Sequence, residues 1–198
     1  DFFAEVWSAP IAGPAPTTPI SPVPSAGAGG AFVTADLPLT FSNDSSRVLF
    51  AGDFETPGTI QLLSNTPTGT QGQADILNGT VTAGGNVVAY GIGPGTNRAV
   101  FRGDLLVDER IEIWSAPADA GANAVRLSTS TPSGFSDVTQ FVIAPDPQPQ
   151  VLFRQDVLVD DAFDLFAVPV SGAAAVRLNA TNVATRALEP DFAASPDG

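Results

Sequence analysis

Asp108–Pro117 reads DERIEIWSAP, and closely similar segments occur at Asp1–Pro10 (DFFAEVWSAP) and Asp160–Pro169 (DDAFDLFAVP). Gly58–Thr66 (GTIQLLSNT) is a more divergent fourth copy. In each copy apolar and polar residues alternate around one fixed position, which is the pattern of a half-buried β-strand. The steps between the fixed positions are 56, 51 and 52 residues, and a repeat of that length predicts a repetitive architecture. The fixed positions are Trp7, Leu63, Trp114 and Phe166.

Each repeat contains four short runs with strand character, separated by tight turns, and no helical period is found anywhere in the chain. Four antiparallel strands in each of several successive repeats are typical of the blades of a β-propeller. A β-sandwich also has short strands, but it would not repeat its sequence every 51 residues. The predicted strands are Leu37–Phe41, Arg47–Phe50, Thr59–Ser64 and Ala74–Leu77, then Asn86–Ile92, Arg98–Arg102, Arg110–Ser115 and Ala124–Ser128, then Thr139–Ile143, Gln150–Arg154, Phe163–Val168 and Ala175–Asn179.

We therefore predict an all-β chain in which 31–80, 81–131 and 132–182 are three full blades. Residues 1–30 are the end of another blade and a loop, with a third strand in Asp1–Pro10 and an edge strand near Thr17–Ile20. Residues 183–198 supply a first strand, within Asp191–Gly198. The second strand of this composite blade is missing.

Three arrangements fit the incomplete blade. The chain forms a small ring, it is part of a longer propeller, or a neighbouring copy donates the missing strand by β-augmentation. Unpaired backbone groups at the gap favour a longer parent chain. The absence of Met agrees with a processed product or a fragment.

The composition disfavours several classes of function. The net charge is −13 and all eight basic residues are Arg, so we expect neither nucleic acid nor an anionic membrane surface as a partner. No apolar run is long enough to span a membrane. The chain has no His and no Cys, so Ser-His-Asp and Cys-His catalytic arrangements cannot form. We expect a chain that is not an enzyme.

Acidic residues recur between the second and third strands. One interpretation is a Ca²⁺ site, for which Asp104, Asp108, Asp156 and Asp160 are the candidate ligands. The other interpretation is that these residues lie in solvated hairpin turns, because Asp favours turn positions. No cluster matches the D-x-[DN]-x-[DN]-G calcium loop. Apart from the Ca²⁺ of this interpretation, no cofactor is expected. The full set is Asp53, Glu55, Asp104, Asp108, Glu109, Asp156, Asp160 and Asp161.

Three further sets of residues recur with the repeat. The turn residues Asp44, Asp146 and Asp197 are predicted to bind their own backbone as Asx-turns. The third-strand acids Glu5, Glu112 and Asp164 are expected to pair with Arg98, Arg102 or Arg154 across strands. The aromatic residues Trp7, Trp114 and Phe166 are expected to pack between blades, and an exposed binding platform is the alternative.

Taken together, these repeated segments resemble the repeat of TolB-like β-propellers over essentially the whole chain. The segments are SPDG (195–198), RVLF (47–50) or AVFR (99–102), an acidic turn, EIWSAP (112–117) or DLFAVP (164–169), and AVRLN (175–179). Two features depart from that repeat: Gly93-Pro94-Gly95 replaces SPD, and the third strand of the first repeat lacks the aromatic residue and the Pro. The resemblance implies protein–protein contacts and a periplasmic or secreted setting in bacteria.

The sequence thus leads to a functional hypothesis with two rivals. The hypothesis is a non-enzymatic, extracytoplasmic β-propeller that serves as a protein-interaction or structural module. Self-assembly through the incomplete blade would give a filament or lattice. The first rival is the non-catalytic, substrate-gating propeller of a larger prolyl-oligopeptidase-like hydrolase. The second rival is a propeller that binds calcium or carbohydrate.

Overall fold

A computed structural model of the chain describes residues 3–11, 16–129, 137–145, 149–157, 162–179 and 192–194. These residues form strands, turns and loops and contain no helix, so none of them lies in a helix that could cross a membrane. The strands belong to four successive antiparallel sheets, which we call the N-terminal unit and units 1, 2 and 3. The all-β class predicted from the sequence is confirmed.

The four sheets follow the order of the chain. The N-terminal unit has β1 (Trp7–Ser8) and β2 (Thr18–Pro19). Unit 1 has β3 (Gly30–Phe32), β4 (Thr40–Phe41), β5 (Val48–Asp53), β6 (Gln61–Asn65) and β7 (Asp75–Ile76). Unit 2 has β8 (Val87–Ile92), β9 (Arg98–Gly103), β10 (Glu112–Pro117) and β11 (Val125–Arg126). Unit 3 has β12 (Val138–Ala144), β13 (Gln150–Gln155), β14 (Asp164–Pro169) and β15 (Val176–Arg177).

In the N-terminal unit and in units 2 and 3, each strand pairs with its neighbours in sequence, as in a meander of short hairpins. In unit 2, β9 pairs with β8 on one side and with β10 on the other, and β10 also pairs with β11. Unit 3 has the same order. The strands predicted for these two units are found with their ends shifted by up to two residues, because turn chemistry marks the ends less sharply than alternation marks the centres.

The first strand of unit 1 differs from the prediction of a single strand at Leu37–Phe41. It is divided into β3 and β4, which pair with opposite ends of β5. Near the end of the first strand, the pair Phe41–Val48 in unit 1 corresponds to Ile92–Ala99 in unit 2, and both residues are offset by 51 positions. Near its start, Ala31–Gly52 corresponds to Val87–Gly103. There the second residue is again offset by 51 positions, but the first is offset by 56. Five extra residues therefore lie between Ala31 and Phe41, which explains the 56-residue step.

The extra segment of unit 1 packs against unit 2. The backbone N–H of Tyr90, in β8, donates to the carbonyl of Asp36 at 2.9 Å. The Tyr90 hydroxyl donates to the carbonyl of Leu49 at 3.0 Å and also to that of Pro38. Leu37 is buried in the core between units 1 and 2. The segment thus satisfies a donor on the free edge of β8.

Successive units are joined by one repeated backbone hydrogen bond. A residue at the start of each first strand donates its N–H to a carbonyl next to the third strand of the preceding unit. The three bonds are Ala31 to Ala4 at 2.9 Å, Val87 to Ile60 at 2.9 Å and Val138 to Ile111 at 2.8 Å. The N-terminal unit therefore meets unit 1 as unit 1 meets unit 2.

The core consists of three apolar layers, one at each junction between units. We call the side of a unit that contacts the next unit its front face, and the other side its back face. At the junction of units 1 and 2, Leu49 and Leu62 lie on the front face, and Phe101 and Trp114 lie on the back face opposite. Because successive strand residues point to opposite faces, both faces of the inner units are buried.

Candidate interaction site

The fixed aromatic position of the third strand is buried in three units and exposed in one. Trp114 is only 8 % exposed, and Leu63 and Phe166 are also buried at their junctions. Trp7 is 53 % exposed. Packing between units is thus confirmed for Trp114 and Phe166 and wrong for Trp7, because Trp7 lies on the back face of the first unit of the array.

The other end of the array has a matching exposed position. Ile20, Leu77 and Leu127 occupy equivalent places after the fourth strand and are buried by the following unit. Leu178 occupies the same place in unit 3 and is 52 % exposed. The N–H of each of these residues donates to a third-strand carbonyl at 2.8 or 2.9 Å, which establishes that the four positions are equivalent.

Burial along the second strands shows the same one-sided exposure. Every residue of β5 is buried. In β13, Val151 and Phe153 on the back face are buried, whereas Leu152 on the front face is only partly buried. A strand with one covered face shows this alternation, while a strand between two layers is buried throughout.

The two exposed positions would be partners if the series of junctions continued. At the three existing junctions a fourth-strand residue and the next third-strand residue share one apolar core. The pairs are Ile20 with Leu63, Leu77 with Trp114, and Leu127 with Phe166. Leu178 on the front face of unit 3 and Trp7 on the back face of the N-terminal unit are the two such residues that have no partner of this kind in the described structure. Each is more than half exposed, so neither covers the other within the described structure.

One strand edge of the N-terminal unit is also open among the residues that the structure describes. In unit 2, Trp114 lies between Phe101 of the second strand and Arg126 of the fourth. Trp7 pairs with Pro19 of β2, and among the described residues no strand pairs with the other edge of β1. Residues 192–194, from the predicted C-terminal first strand, are not in a strand; the rest of that prediction lies outside the described residues.

The acidic residues that end the second strands have a different role from the one predicted. Asp53, Asp104 and Asp156 are buried, so the interpretation as solvated turn residues is wrong for them. The Oδ1 atom of Asp104 accepts the N–H of Asn86 at 2.6 Å, and its Oδ2 atom accepts the N–H of Glu109 at 3.1 Å. This clasp ties the start of the first strand to the following turn, which a charged acceptor stabilises strongly.

The clasp recurs in the other two units. Asp53 accepts the N–H groups of Gly29 and Gly30 at 2.8 Å and that of Gly58 at 3.0 Å. Asp156 accepts the N–H of Asp137 at 2.6 Å. A β-carbon at Gly30 would lie 2.1 Å from the carbonyl oxygen of Ala4, so only glycine permits this approach.

The clasp extends across the junction to the preceding unit. The Oδ1 atom of Asn86 accepts the N–H of Ile60 at 2.7 Å, and the Oδ1 atom of Asp137 accepts that of Ile111 at 2.9 Å. Each buried aspartate therefore orders a residue that itself holds the preceding unit. Sequence reasoning did not identify Asn86 and Asp137, although both stand one residue before a first strand.

The candidate calcium ligands that the structure describes, Asp104, Asp108 and Asp156, do not form one group of three acids. Asp104 and Asp156 belong to separate clasps, and Asp108, like Glu55 and Glu109, is exposed as expected for a turn residue. Asp160 lies outside the described residues, as do Asp161, Asp146 and Asp197. Among the residues that are described, no group of three or more acidic side chains is arranged to hold a metal ion.

Two of the third-strand acids pair with arginines other than those predicted, whereas Glu5 accepts a hydrogen bond from the Nε2 atom of Gln71 at 2.9 Å. Glu112 binds Arg126 at 2.9 Å and Arg110 at 3.3 Å, and Asp164 binds Arg177 at 3.1 Å. Arg102 was a candidate partner, but it lies opposite Ile113 in the ladder. Its side chain is therefore on the face opposite to that of Glu112.

Arg98 and Arg102 instead reach into unit 3. The Nε atom of Arg98 donates to the carbonyl of Val170 at 3.2 Å, and Nη1 of Arg102 donates to that of Val138 at 3.1 Å. Burial lowers the pKa of both guanidinium groups. The corresponding front-face arginine of unit 3, Arg154, lies over the ring of Phe163 at 4.1 Å. Arg154 forms no ion pair with Asp164, which corrects the third predicted pairing.

The turn between the first and second strands of unit 1 follows the prediction. The Oδ1 atom of Asp44 accepts the N–H of Ser46 at 3.0 Å, which is an Asx-turn. The hydroxyls of Ser42 and Ser46 donate to the same atom at 2.7 and 2.8 Å. The N–H of Ser46, and then these two hydroxyls, lower the pKa of Asp44 to about 2.

One repeated set of side chains was missed in the sequence. A Ser or Asn just after the fourth strand accepts the N–H of a third-strand residue, so it holds the outer edge of the unit. The signal was present in the endings ILN, RLS and RLN of the fourth-strand runs. The bonds are Ser21 to Val6 at 3.1 Å, Asn78 to Leu62 at 2.7 Å, Ser128 to Ile113 at 3.4 Å and Asn179 to Leu165 at 2.8 Å.

The site thus consists of two end faces: a back face with exposed Trp7 and a front face with exposed Leu178. In comparisons with known proteins, no protein-family model matches the chain and no curated protein shows significant similarity to it.

Proposed function

We propose that the chain is an array of β-propeller blades, of the TolB-like kind, that serves as a non-enzymatic protein-interaction and assembly module. Units 1, 2 and 3 are its full blades, and the N-terminal unit is the third and fourth strands of an incomplete blade. The proposed setting is extracytoplasmic, either secreted or at the cell surface. The expected partner is a protein, and neither nucleic acid nor membrane insertion has a part in it.

One observation carries this proposal: the end faces are uncovered halves of the same junction that holds the units together. Large apolar side chains such as Trp7 and Leu178 lose contact with water when a protein covers them, and aromatic residues are enriched at such interfaces. The open edge of β1 adds backbone groups that an extended segment can pair with.

The exposure of Trp7 can be measured directly, because the chain has only two Trp residues. In the Trp114→Phe variant, Trp7 is the sole indole. Phe is compatible with this position, because Phe166 occupies it in unit 3. Acrylamide quenching of the indole fluorescence then reports how far Trp7 is covered.

The experiment compares dilute variant, concentrated variant and variant mixed with the secreted proteins of its source. Protection of Trp7 in either of the last two samples supports an interaction module. If Trp7 stays equally accessible to acrylamide in all three, nothing binds this face and the proposal is wrong.

A further inference from the structure

We infer that the protein that covers the end faces is a second copy of the same chain, joined head to tail. In this arrangement Trp7 of one copy packs on Leu178 of the next. The inference rests on the proposed function, because it names the partner of the same site.

The first argument is the equivalence of the contacts. A partner for the front face of unit 3 must fit Leu152, Leu165 and Leu178, which are equivalent to Val100, Ile113 and Leu127 of unit 2. In unit 2 these three residues are fully covered by the back face of unit 3. A second copy offers the back face of its N-terminal unit, where Trp7 of β1 occupies the place that Phe166 has in unit 3.

The second argument concerns the polar groups at the rim. Arg102, on the front face of unit 2, donates to carbonyl groups at the start of unit 3. Arg154 is its equivalent in unit 3 and remains partly exposed. Carbonyl groups on an open β-strand edge are matching acceptors, and among the described strands the N-terminal unit has such an edge.

The third argument decides the geometry of the assembly. The two faces differ from each other, so the contact is heterologous and leaves one free face of each kind on every pair. A heterologous contact repeats from one copy to the next. It gives a ring if the rotation between copies closes and a filament if it does not. Each copy carries a net charge of −13, so added salt should strengthen the association by screening repulsion.

Cross-linking of single-Cys variants tests the contact, since the chain has no Cys of its own. Trp7→Cys and Leu178→Cys proteins are mixed and treated with a short thiol-reactive cross-linker. We expect a dimer in the mixture and little or none with either variant alone. Leu106→Cys, mixed with either variant, is the matched control. Leu106 is 53 % exposed but lies in unit 2, away from both end faces.

Sedimentation velocity provides the second readout. Leu178→Asp should weaken self-association about tenfold or more, as expected for a central apolar anchor, whereas Leu106→Asp should leave it unchanged. Both side chains are exposed to solvent, so neither change should prevent folding. Electron microscopy of concentrated wild-type protein should show rings or filaments of copies.

The outcomes separate the two proposals. A Trp7→Cys/Leu178→Cys double variant that cross-links only within one chain would show that the array closes on itself and would overturn the inference. Protection of Trp7 by another protein, without any cross-link between copies, would also overturn it but leave the proposed function standing. Unprotected Trp7 in every sample overturns both.

Discussion

Arg126 reaches from the fourth strand of unit 2 to place its Nη1 atom 2.9 Å from the Oε1 atom of buried Glu112 in the third strand. Trp114, two residues after Glu112, lies directly opposite Arg126 in the ladder, so acid and arginine are diagonal neighbours on one face. In unit 1 the same two positions hold Gln61 and Ile76. The repeat therefore tolerates either a charged pair or a neutral one.

The first prediction tests whether the charged pair of unit 2 can be replaced by the neutral residues found in unit 1. Arg126→Ile alone should lower the free energy of unfolding by about 1–3 kcal/mol, because it leaves the Glu112 carboxylate buried with only Arg110 nearby. The double variant Glu112→Gln/Arg126→Ile copies unit 1 and should recover most of that loss. Urea denaturation of the two single variants and the double variant gives the coupling energy. A double variant as unstable as the sum of the single variants would contradict the prediction.

The second prediction concerns the clasp at Asp104. Asp104→Ala removes a charged acceptor from the N–H groups of Asn86 and Glu109, so it should cost about 3 kcal/mol of unfolding free energy. Asp104→Asn keeps one acceptor oxygen and should cost less. Asp108→Asn is the matched control, because Asp108 is exposed and its change should stay within about 0.5 kcal/mol. Equal losses for Asp104→Ala and Asp108→Asn would contradict the clasp.

The third prediction concerns calcium. The carboxylate oxygens of Asp104 and Asp156 already accept backbone N–H groups, so the cation would have to displace these bonds. We expect millimolar calcium chloride to leave the melting temperature of the protein unchanged relative to the chelated sample. A rise of several degrees that is abolished by Asp104→Asn would show that this residue is a ligand after all.

The fourth prediction uses Tyr90, the only Tyr of the chain. Burial raises the pKa of its hydroxyl above the ordinary value of about 10. The folded protein should therefore show no phenolate absorbance at a pH where the unfolded chain is ionised. The favourable contribution of this group is present below about pH 10 and is lost as the pH rises toward the folded pKa, so stability should fall in strong alkali.

The Tyr90→Phe variant completes this test. It removes the hydroxyl that donates to Leu49 and Pro38, and it should cost about 1 kcal/mol of unfolding free energy. The alkaline loss of stability should be smaller in the variant than in the wild type, because the titrating group is gone. An ordinary phenol titration in the folded wild-type protein would refute the burial of the hydroxyl.

The fifth prediction concerns Asp44 at the first turn of unit 1. Its pKa should be about 2 rather than the usual 3.8. A lowered pKa means that the contribution of this carboxylate is present above about pH 4 and is lost as the pH falls through about 2. Carboxyl chemical shifts in an acid titration measure this directly. Ser46→Ala removes one of the donated hydrogen bonds and should move the pKa upward.

Local alternation and turn chemistry were sufficient to predict most strands. The runs around Phe101, Trp114 and Phe166 are strands because their side chains alternate and because Gly, Pro and Asp end them. The Asx-turn at Asp44 was predictable for the same reason, since its hydrogen bonds join residues only two positions apart. These features depend on near neighbours in the chain, which the sequence displays.

The candidate site could be predicted only in part. The sequence indicated a third-strand aromatic position between units, but it did not distinguish exposed Trp7 from buried Trp114, because their local segments are nearly identical. Exposure depends on whether another unit lies opposite, which is a non-local property. Leu178, an ordinary end of a fourth-strand run, was not identified for the same reason.

The repeat, the all-β class and the alternation that gives every unit a front and a back face follow from the order of residues along the chain. The folded arrangement was needed to learn which faces are covered, that Asp104 is a buried clasp and that Arg126 rather than Arg102 pairs with Glu112. Strand propensity acts over a few residues, whereas burial and ion pairing depend on strands brought together from distant parts of the chain.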